Sequence, residues 1–337
     1  MGSRSRGRAG SRRHRSDRVL TALARTGTLE ATEIKAEAER LGFVACGITD
    51  LSPTPHGAEL DEWLARGRAG TMRYLHRQAR KRKDPQRIDP DARSIVVVLD
   101  NYFTPDQAGD RDPPRVAKYA RGTDYHRVTL QRLEQLADFL RQRGARVARA
   151  YADAGPVPER ELAQRAGLGW IGKNTMLIRP GLGSFFFIGS VLTDLALPID
   201  PPFALDQCGR CTQCLDACPT EAILSPRLLD ATRCISYLTI EHRGPIPDEM
   251  VPKLDGWAFG CDICNDVCPW NQRFATETEI EGLRPRGLLH GVEANYFDRM
   301  TEEDFSQGFG DTALSRPGLS GMRRNLRSAF ASRADHP

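Results

Sequence analysis

The chain has 337 residues, 40% of them hydrophobic and 27% charged, which is the composition of a folded protein with a substantial core. No apolar run approaches the roughly 18 residues that a membrane helix needs, so the sequence predicts no membrane span. The net charge of +4 is local, because residues 1–18 hold seven of the 48 Lys and Arg but one of the 44 Asp and Glu.

Residues 1–18 consist of Arg, Ser and Gly with almost nothing to bury, and we predict a disordered basic tail. Ser11, Arg12 and Arg13 faintly resemble a twin-arginine export signal. However, the apolar stretch over 19–24 is too short for such a signal and is interrupted by Arg25. We therefore expect a cytoplasmic protein, since a reducing compartment keeps thiols free.

The first predicted elements are a helix over 30–41, a strand over 43–48 that contains Cys46, and helices over 58–66 and 71–80. A lone Cys in a strand usually behaves as a small hydrophobe, and Cys46 is interpreted so. Nine Lys or Arg against one Asp lie between residues 66 and 87. Such a run is most often a solvated face, and otherwise it marks a surface for a polyanion such as RNA.

The run over 94–99 is continuous and β-branched, which is typical of a strand buried on both faces. Asp124 is expected to cap a long helix. The residues predicted on the apolar face of that helix are Leu130, Leu133, Ala137 and Leu140. Tyr119, Tyr125 and His126 are candidate site residues, although packing and capping explain them about equally well.

A strand over 146–151 and a helix over 157–166 precede a glycine cluster at 167–172. A dinucleotide-binding loop should lie between a strand and a helix, whereas these glycines follow a helix and precede strands predicted over 175–178 and 184–192. That interpretation is rejected, and close approach of the backbone to a flat cofactor is preferred. Core packing explains the aromatic residues of the last strand.

Cysteines dominate the region from 208 to 268. Their order is Cys208-x2-Cys211-x2-Cys214-x3-Cys218-Pro, then Cys234, then Cys261-x2-Cys264-x3-Cys268-Pro. The first run has the spacing of bacterial ferredoxins, in which three close cysteines bind one [4Fe–4S] cluster and the fourth binds the other. This pattern assigns Cys208, Cys211, Cys214 and Cys268 to one cluster, and Cys218, Cys234, Cys261 and Cys264 to a second.

Two other uses of these cysteines are less consistent with the sequence. Disulfides suit a small secreted chain, and nothing in this chain indicates secretion. Zinc usually takes two separated pairs of ligands, so a third Cys directly after a C-x2-C pair is crowded. Two [4Fe–4S] clusters are therefore predicted, and the segment conducts electrons.

We predict an α+β fold in four parts. A basic tail over 1–18 precedes an α/β domain over 19–197, which a proline-rich stretch connects to a ferredoxin-like domain with two [4Fe–4S] clusters over 198–275. The remaining segment, 276–337, is polar and irregular at first and partly helical near its end, and it is too short to form a domain of its own.

With these residues in hand, the chain over about 30–330 resembles the epoxyqueuosine reductase family. The motifs that carry the resemblance are YARG at 119–122 with DYH at 124–126, AGLGWIGK at 166–173, GSFFF at 183–187, CISYL at 234–238 and GCDIC at 260–264. Members of that family commonly continue into a longer helical-repeat region, so any role of that region is open for this chain.

The resemblance implies cobalamin bound by the N-terminal domain, and reduction of epoxyqueuosine to queuosine at the wobble position of tRNA. Asp153 occupies the family's proton-donor position. A carboxyl group that donates a proton near neutral pH needs a raised pKa, which desolvation between corrin and substrate would supply. Without the resemblance, a helix cap would be the preferred role of Asp153. The family pattern also makes Arg77, Leu177, Ile188 and Ser236, together with Asp153, neighbours of the corrin.

Electrons are expected to pass from an external donor such as a flavodoxin or ferredoxin to the first cluster, the second cluster and cobalt. The protein is expected to act as a monomer. Two alternatives remain at this point. One is an electron-transfer module without a substrate, and the other is a corrinoid-dependent reductase of small molecules, similar to reductive dehalogenases. Members of the latter group typically carry an export signal.

Overall fold

A four-stranded antiparallel sheet organises the first half of the chain in the computed structural model, which describes Gly2 and residues 29–334. Apart from Gly2, the predicted N-terminal tail lies outside the described residues. The strand order in the sheet is β1-β2-β7-β4. The ten strands are β1 Ala45–Thr49, β2 Ser94–Asn101, β3 Arg115–Val116, β4 Ala148–Ala152, β5 Trp170–Ile171, β6 Leu177–Ile178, β7 Phe186–Thr193, β8 Ile223–Ser225, β9 Leu228–Leu229 and β10 Trp257–Phe259.

Strand β2 confirms the prediction of a strand covered on both faces, since all eight of its residues are buried. Val96 and Val98 face one hydrophobic cluster and Ile95 and Val97 face another. Every pairing in this sheet is antiparallel. The first part of the chain is therefore not α/β in the strict sense of a parallel sheet, and α+β describes it correctly.

Helices cover both faces of the sheet. In the described residues they are α1 Ala31–Arg40, α2 Gly57–Ala65, α3 Arg73–Lys83, α4 Tyr125–Gln142, α5 Glu159–Arg165, α6 Gln213–Asp216, α7 Ile235–Ile240, α8 Ile263–Asp266, α9 Pro269–Phe274, α10 Glu302–Phe309 and α11 Gly318–Ala334. Helices α1 and α4 pack on one face of the sheet, and α5 packs on the other. None of these helices is long and apolar enough to cross a membrane.

Helix α4 begins as predicted, because the Asp124 side chain accepts a hydrogen bond from the His126 backbone N–H. Its apolar face is slightly rotated from the prediction. Leu136 is fully buried, whereas Leu130 is 36% exposed. The burial of Leu133, Ala137 and Leu140 was correctly predicted.

The segment after residue 276 packs into the rest of the fold. Phe297, Phe309 and Leu326 belong to a hydrophobic cluster that also contains Phe259 of β10 and Ala120. Strand β10 in turn pairs in parallel with β3, far away in sequence. The predicted parts of the chain thus share their cores. The proline-rich stretch at 198–203 is hydrogen-bonded to strand β1, because the Asp200 backbone N–H donates to the Ile48 carbonyl.

Candidate functional site

Eight cysteines form two groups of four. Cys208, Cys211, Cys214 and Cys268 line one cavity of about 190 Å³. Burial raises the pKa of the Cys214 thiol to about 11, and the charges of the other three thiolates add to the rise. These four side chains therefore lie close together; Cys268 is buried and the other three are half-buried.

The second group consists of Cys218, Cys234, Cys261 and Cys264. Burial raises the pKa of the Cys264 thiol, and the charges of Cys234 and Cys218 act in the same direction. The Cys261 pKa is also raised by burial, and by Cys264 and Cys234. This group lies deeper than the first. The partition into two groups is the one that the spacing of the cysteines predicts.

Nearby N–H groups donate hydrogen bonds to the sulfurs. The Trp170 indole Nε1 lies 3.4 Å from Cys208 Sγ, and the Ala222 backbone N lies 3.3 Å from Cys218 Sγ. Ser236 donates to Cys234 through its backbone and its side chain. Such donors stabilise negative charge on a thiolate, which is the form that binds iron.

Asp153 lies directly after strand β4, with a left-handed backbone at φ 56°. The Tyr125 hydroxyl donates to Asp153 Oδ2 over 2.5 Å, and His126 Nε2 lies 3.6 Å from the same oxygen. The Asp153 side chain does not cap α5, whose N-cap residue is Pro158 without a side-chain hydrogen bond. The contacts of Asp153 therefore exclude the capping role, and they place Tyr125 and His126 beside it.

The expected rise of the Asp153 pKa depends on desolvation between corrin and substrate, and the contacts within this chain act in the opposite direction. Burial pushes the Asp153 pKa upward, but the nearby ring of His126 and the hydrogen bond from Tyr125 outweigh it and lower the pKa to about 2. The carboxyl group is consequently ionised at neutral pH.

His126 shows the opposite behaviour. Burial lowers its pKa, but the carboxylates of Asp124 and Asp153 outweigh this and raise it to about 9. Nδ1 of His126 is 2.8 Å from Asp124 Oδ1. The imidazole therefore carries a positive charge at neutral pH and sits between two carboxylates.

A second carboxyl group lies behind the Asp153 loop. Glu159 Oε1 accepts a hydrogen bond of 2.7 Å from the Asp153 backbone N–H. Burial raises the pKa of Glu159 to about 8, and the charge of Asp153 adds to the rise. At neutral pH, Glu159 is therefore mostly protonated while Asp153 is charged. Two adjacent carboxyl groups with opposite pKa shifts are typical of sites that handle protons.

Arg82, the inward-facing residue of α3, holds this loop. Its guanidinium donates to the carbonyl oxygens of Gly155 over 2.8 Å and Val157 over 3.1 Å. Helix α3 has no buried residue and carries Arg73, Arg80 and Lys81 on its exposed side. The basic run predicted from the sequence therefore contains one arginine that contacts the Asp153 loop.

The four other predicted cofactor neighbours occupy different environments. Arg77 on α3 is exposed, and Ile188 on β7 and Ser236 on α7 are half-buried, so a ligand could reach each of them. Leu177 on β6 is only 2% exposed, so only its backbone groups could make such a contact.

The glycine cluster lies against the backbone of the protein itself. A Cβ atom on Gly169 would lie 2.2 Å from the Ile178 carbonyl oxygen, and one on Gly167 would lie 2.7 Å from that of Pro201. The glycines therefore allow this protein to pack against its own backbone.

Sequence reasoning missed residues that come from distant parts of the chain. Arg316 precedes α11, and its charge acts on Asp153 and Tyr125. Glu241 follows α7 and lies 2.6 Å from Arg316. No local pattern marks either residue. Glu159 follows Pro158 and had a weak signal as an acidic residue at a helix start.

Comparisons with known proteins agree with these features. Residues 207–271 match the family described as a 4Fe-4S double cluster binding domain, and residues 82–154 match the family described as epoxyqueuosine reductase QueG, DUF1730. A protein of Cellulophaga algicola named epoxyqueuosine reductase is 40% identical over 295 residues, which are 87% of this chain and 95% of that protein.

Solved structures are similar as well. A crystal structure of epoxyqueuosine reductase with an epoxyqueuosine-modified tRNA-Tyr stem loop has a TM-score of 0.79 and 29% identity, over 90% of this chain and 82% of that one. The enzyme from Bacillus subtilis, with its catalytic aspartate loop swung out of the active site, has a TM-score of 0.76 at the same identity and coverage.

Proposed function

Because this chain belongs to the epoxyqueuosine reductase family and is an oxidoreductase, we propose that it removes the epoxide oxygen from epoxyqueuosine in tRNA with Asp153 as the proton donor. The net change is the addition of two electrons and two protons, which leaves an alkene and water. Such a reaction needs a source of electrons and an acid within one site.

The observation that carries the proposal is the short connection between thiols and acid. Helix α7 begins after Cys234 and ends before Glu241, a rise of about 9 Å at 1.5 Å per residue. Glu241 pairs with Arg316, whose charge acts on Asp153. One short helix thus connects the deeper group of cysteines to the site that holds Asp153.

The double-cluster family match identifies this protein as an iron–sulfur protein. We assign Cys208, Cys211, Cys214 and Cys268 to one [4Fe–4S] cluster and Cys218, Cys234, Cys261 and Cys264 to the other. The first group lies nearer the surface, which supports it as the entry point for electrons from a flavodoxin or ferredoxin. Clusters bound there would transfer one electron at a time.

We further propose cobalamin as the second cofactor, held by Arg77, Ile188, Ser236 and the backbone of Leu177 beside Asp153. Three of these residues are accessible to a ligand, and Ser236 also contacts Cys234. Bound cobalamin would supply a strongly reducing metal centre for cleavage of a carbon–oxygen bond. The residues of this chain would orient the substrate and provide the proton.

tRNA is the proposed partner, and α3 is the surface proposed to contact its phosphates. Arg73, Arg80 and Lys81 are exposed there and make no ion pair with another described residue. We expect the affinity for a tRNA stem loop to fall steeply with added salt, because each neutralised phosphate releases counterions. Titrations at 50–300 mM salt test this, and a flat dependence would count against tRNA as the substrate.

We propose a monomer in the cytoplasm, where free thiols persist.

The deciding experiment is a turnover assay with protein whose clusters have been reconstituted without oxygen. A stem loop that carries epoxyqueuosine is incubated with a low-potential reductant, with and without cobalamin, and its nucleosides are analysed by mass spectrometry. We expect queuosine only when cobalamin is present. No queuosine under either condition would reject the proposed reaction, and equal yields would reject cobalamin.

A further inference from the structure

Asp153 alone does not explain how a proton reaches the substrate at neutral pH. Its carboxyl group is ionised there, because the resting contacts favour the charged form. Each turnover must therefore load a proton onto Asp153 before it can be donated. The group that performs this loading should touch Asp153 and should carry a proton in the resting protein.

His126 meets both conditions. Its Nε2 atom is 3.6 Å from Asp153 Oδ2, and the imidazole is charged because Asp124 holds Nδ1 at 2.8 Å. A movement of about 0.5 Å would bring Nε2 and Oδ2 within hydrogen-bond distance. The side chain of His126 is 27% exposed, so water can return a proton to it after each transfer.

The ring of His126 is also fixed in direction. It stacks on Tyr125 with ring centroids 4.1 Å apart, and Tyr125 stacks on Phe187 at 4.1 Å with an interplanar angle of 7°. Asp124 accepts from both the backbone N–H and Nδ1 of His126. Stacking and hydrogen bonding together leave Nε2 directed at the Asp153 carboxyl group.

We propose that Asp124, His126 and Asp153 form a proton relay in which His126 reloads Asp153 during each turnover. This inference rests on the proposed function. The Nε2–H bond of His126 breaks and an O–H bond forms on Asp153, so imidazolium and carboxylate become neutral imidazole and carboxylic acid. This transfer is unfavourable while the pKa of His126 is about 9 and that of Asp153 is about 2, so it requires bound substrate, which removes water from the Asp153 carboxyl group and raises its pKa. Asp153 then protonates the departing oxygen and is again a carboxylate. Both protons of the reaction can follow this route, while the two electrons come from the iron–sulfur protein's external donor.

His126 acts through Asp153 and is a positioning and proton-loading residue, without contact to the substrate. Other charged or titratable groups near it should not replace it. The Tyr125 hydroxyl is kept protonated because burial and Asp153 raise its pKa, and Arg316 carries a permanent charge. Glu159 also carries a proton at neutral pH, but the hydrogen bond that it makes to Asp153 is with the backbone N–H. The other charged or titratable groups close to this site are Arg82, Arg160, Tyr74, Tyr119, Glu241, Arg127 and the Arg286–Asp311 pair, whose Asp311 carbonyl binds the Asp124 N–H.

The test compares single-turnover rates against pH for the reconstituted wild type and for His126→Gln. The wild-type rate should stay level up to about pH 8 and fall above about pH 9, where His126 loses its proton. His126→Gln should be slowed roughly 100-fold at pH 7.5, which is in the range of general acid–base effects. Its rate should rise steadily as pH falls, because Asp153 then takes protons from water.

A matched control uses the other described His that is paired with an Asp. His290 Nε2 lies 2.6 Å from Asp110 Oδ1, away from Asp153. His290→Gln should keep the wild-type rate and pH profile. A His126→Gln protein slowed by the same factor at every pH would show a purely structural role and would overturn the relay. An unchanged rate would overturn it as well.

Nitrogen-15 NMR of the histidines gives a readout that does not depend on turnover. In protein with oxidised clusters, His126 should be charged at pH 7.5, and Asp124→Asn should lower its pKa. A neutral His126 at pH 7.5 would reject the relay even if the enzyme is active. Conversely, absence of any wild-type turnover together with a charged His126 would reject the proposed reaction and leave the relay supported.

Discussion

Tyr125 and His126 both contact the same oxygen of the Asp153 carboxyl group, Oδ2. The backbone N–H of Asp153 donates a separate hydrogen bond to Glu159. This arrangement holds the residue in the left-handed region, at φ 56°, where a residue other than Gly is uncommon. Local contacts thus compensate for an unfavourable backbone, which is a pattern found at functional sites.

Asp153→Asn should remove the proposed proton donor while keeping its shape. The amide cannot donate a proton to a departing oxygen, so turnover should fall by about 10²–10⁴-fold. Iron content and affinity for the stem loop should stay at wild-type values. Asp138→Asn, a change at an exposed Asp on α4, is the control and should be neutral. Full activity of Asp153→Asn in the nucleoside assay would eliminate Asp153 as the acid.

The raised pKa of Glu159 predicts how the free energy of unfolding depends on pH. Burial and the charge of Asp153 raise its pKa from 4.5 to about 8, so the folded protein holds a proton that the unfolded chain has lost. Its contribution to the free energy of unfolding is complete below about pH 4.5 and is lost as pH rises through about 8. Glu159→Gln should remove this loss, and its oxygen can still accept the Asp153 N–H.

Urea unfolding of both proteins at several pH values measures the effect. The stability of Glu159→Gln relative to the wild type should increase from pH 5 to pH 8 and then remain constant. Glu161→Gln, two residues along α5, is the control for the loss of one carboxyl group from this helix. A relative stability of Glu159→Gln that is constant with pH would show that Glu159 is ionised in the folded protein.

At the scale of elements, the loop between β4 and α5 depends on one residue of α3. Arg82 donates to two of its carbonyl oxygens, Gly155 and Val157. Hydrogen bonds from a charged donor contribute about 1.5–3 kcal/mol each. The helix that presents cations outward therefore also restrains the loop that carries Asp153.

Arg82→Ala should loosen this loop selectively. Hydrogen exchange of the amides at 153–159 should accelerate by at least about tenfold, because loss of one such bond is worth at least about 1.4 kcal/mol. Mass spectrometry of peptides from this region provides the measurement. Arg80→Ala, an exposed change on the same helix, should leave exchange in the loop unchanged. Equal protection in Arg82→Ala and wild type would show that other contacts hold the loop.

Most elements of the sheet were predictable because their signals are local. The β-branched run at 94–99 requires burial on both faces, and Asp124 before an amphipathic stretch is a standard helix start. The role of the glycine cluster could not be predicted, for a physical reason. Glycine marks a close approach of the backbone, but the sequence does not reveal whether the approaching group is a ligand or another strand.

For the whole molecule, the two halves of the site differed in how well the sequence could predict them. The assignment of the cysteines to two clusters is a prediction from their spacing, because in the ferredoxin pattern the last cysteine of a run binds the other cluster. The surroundings of Asp153 do not follow from spacing. Arg316 and Glu241 reach it only because the segment after residue 276 packs against β10 and α7. Such packing depends on long-range contacts that no local pattern records.

Iron content tests the organisation of the molecule as a whole. Two [4Fe–4S] clusters require about eight irons per chain in protein prepared without oxygen. Cys234 lies between the two cysteine runs, and our assignment makes it the fourth ligand of the deeper cluster. Cys234→Ala should therefore reduce the content to about four irons, while the group around Cys208 keeps its cluster and its spectrum.

Cys46→Ala provides the control, because Cys46 is the one remaining cysteine and lies in β1, where burial raises its thiol pKa to about 12. Cys46 belongs to neither group of four cysteines, so this variant should retain about eight irons. A loss of iron in Cys46→Ala equal to that in Cys234→Ala would contradict the assignment. Full iron content in Cys234→Ala would require another ligand for the deeper cluster and would separate that cluster from α7 and Asp153.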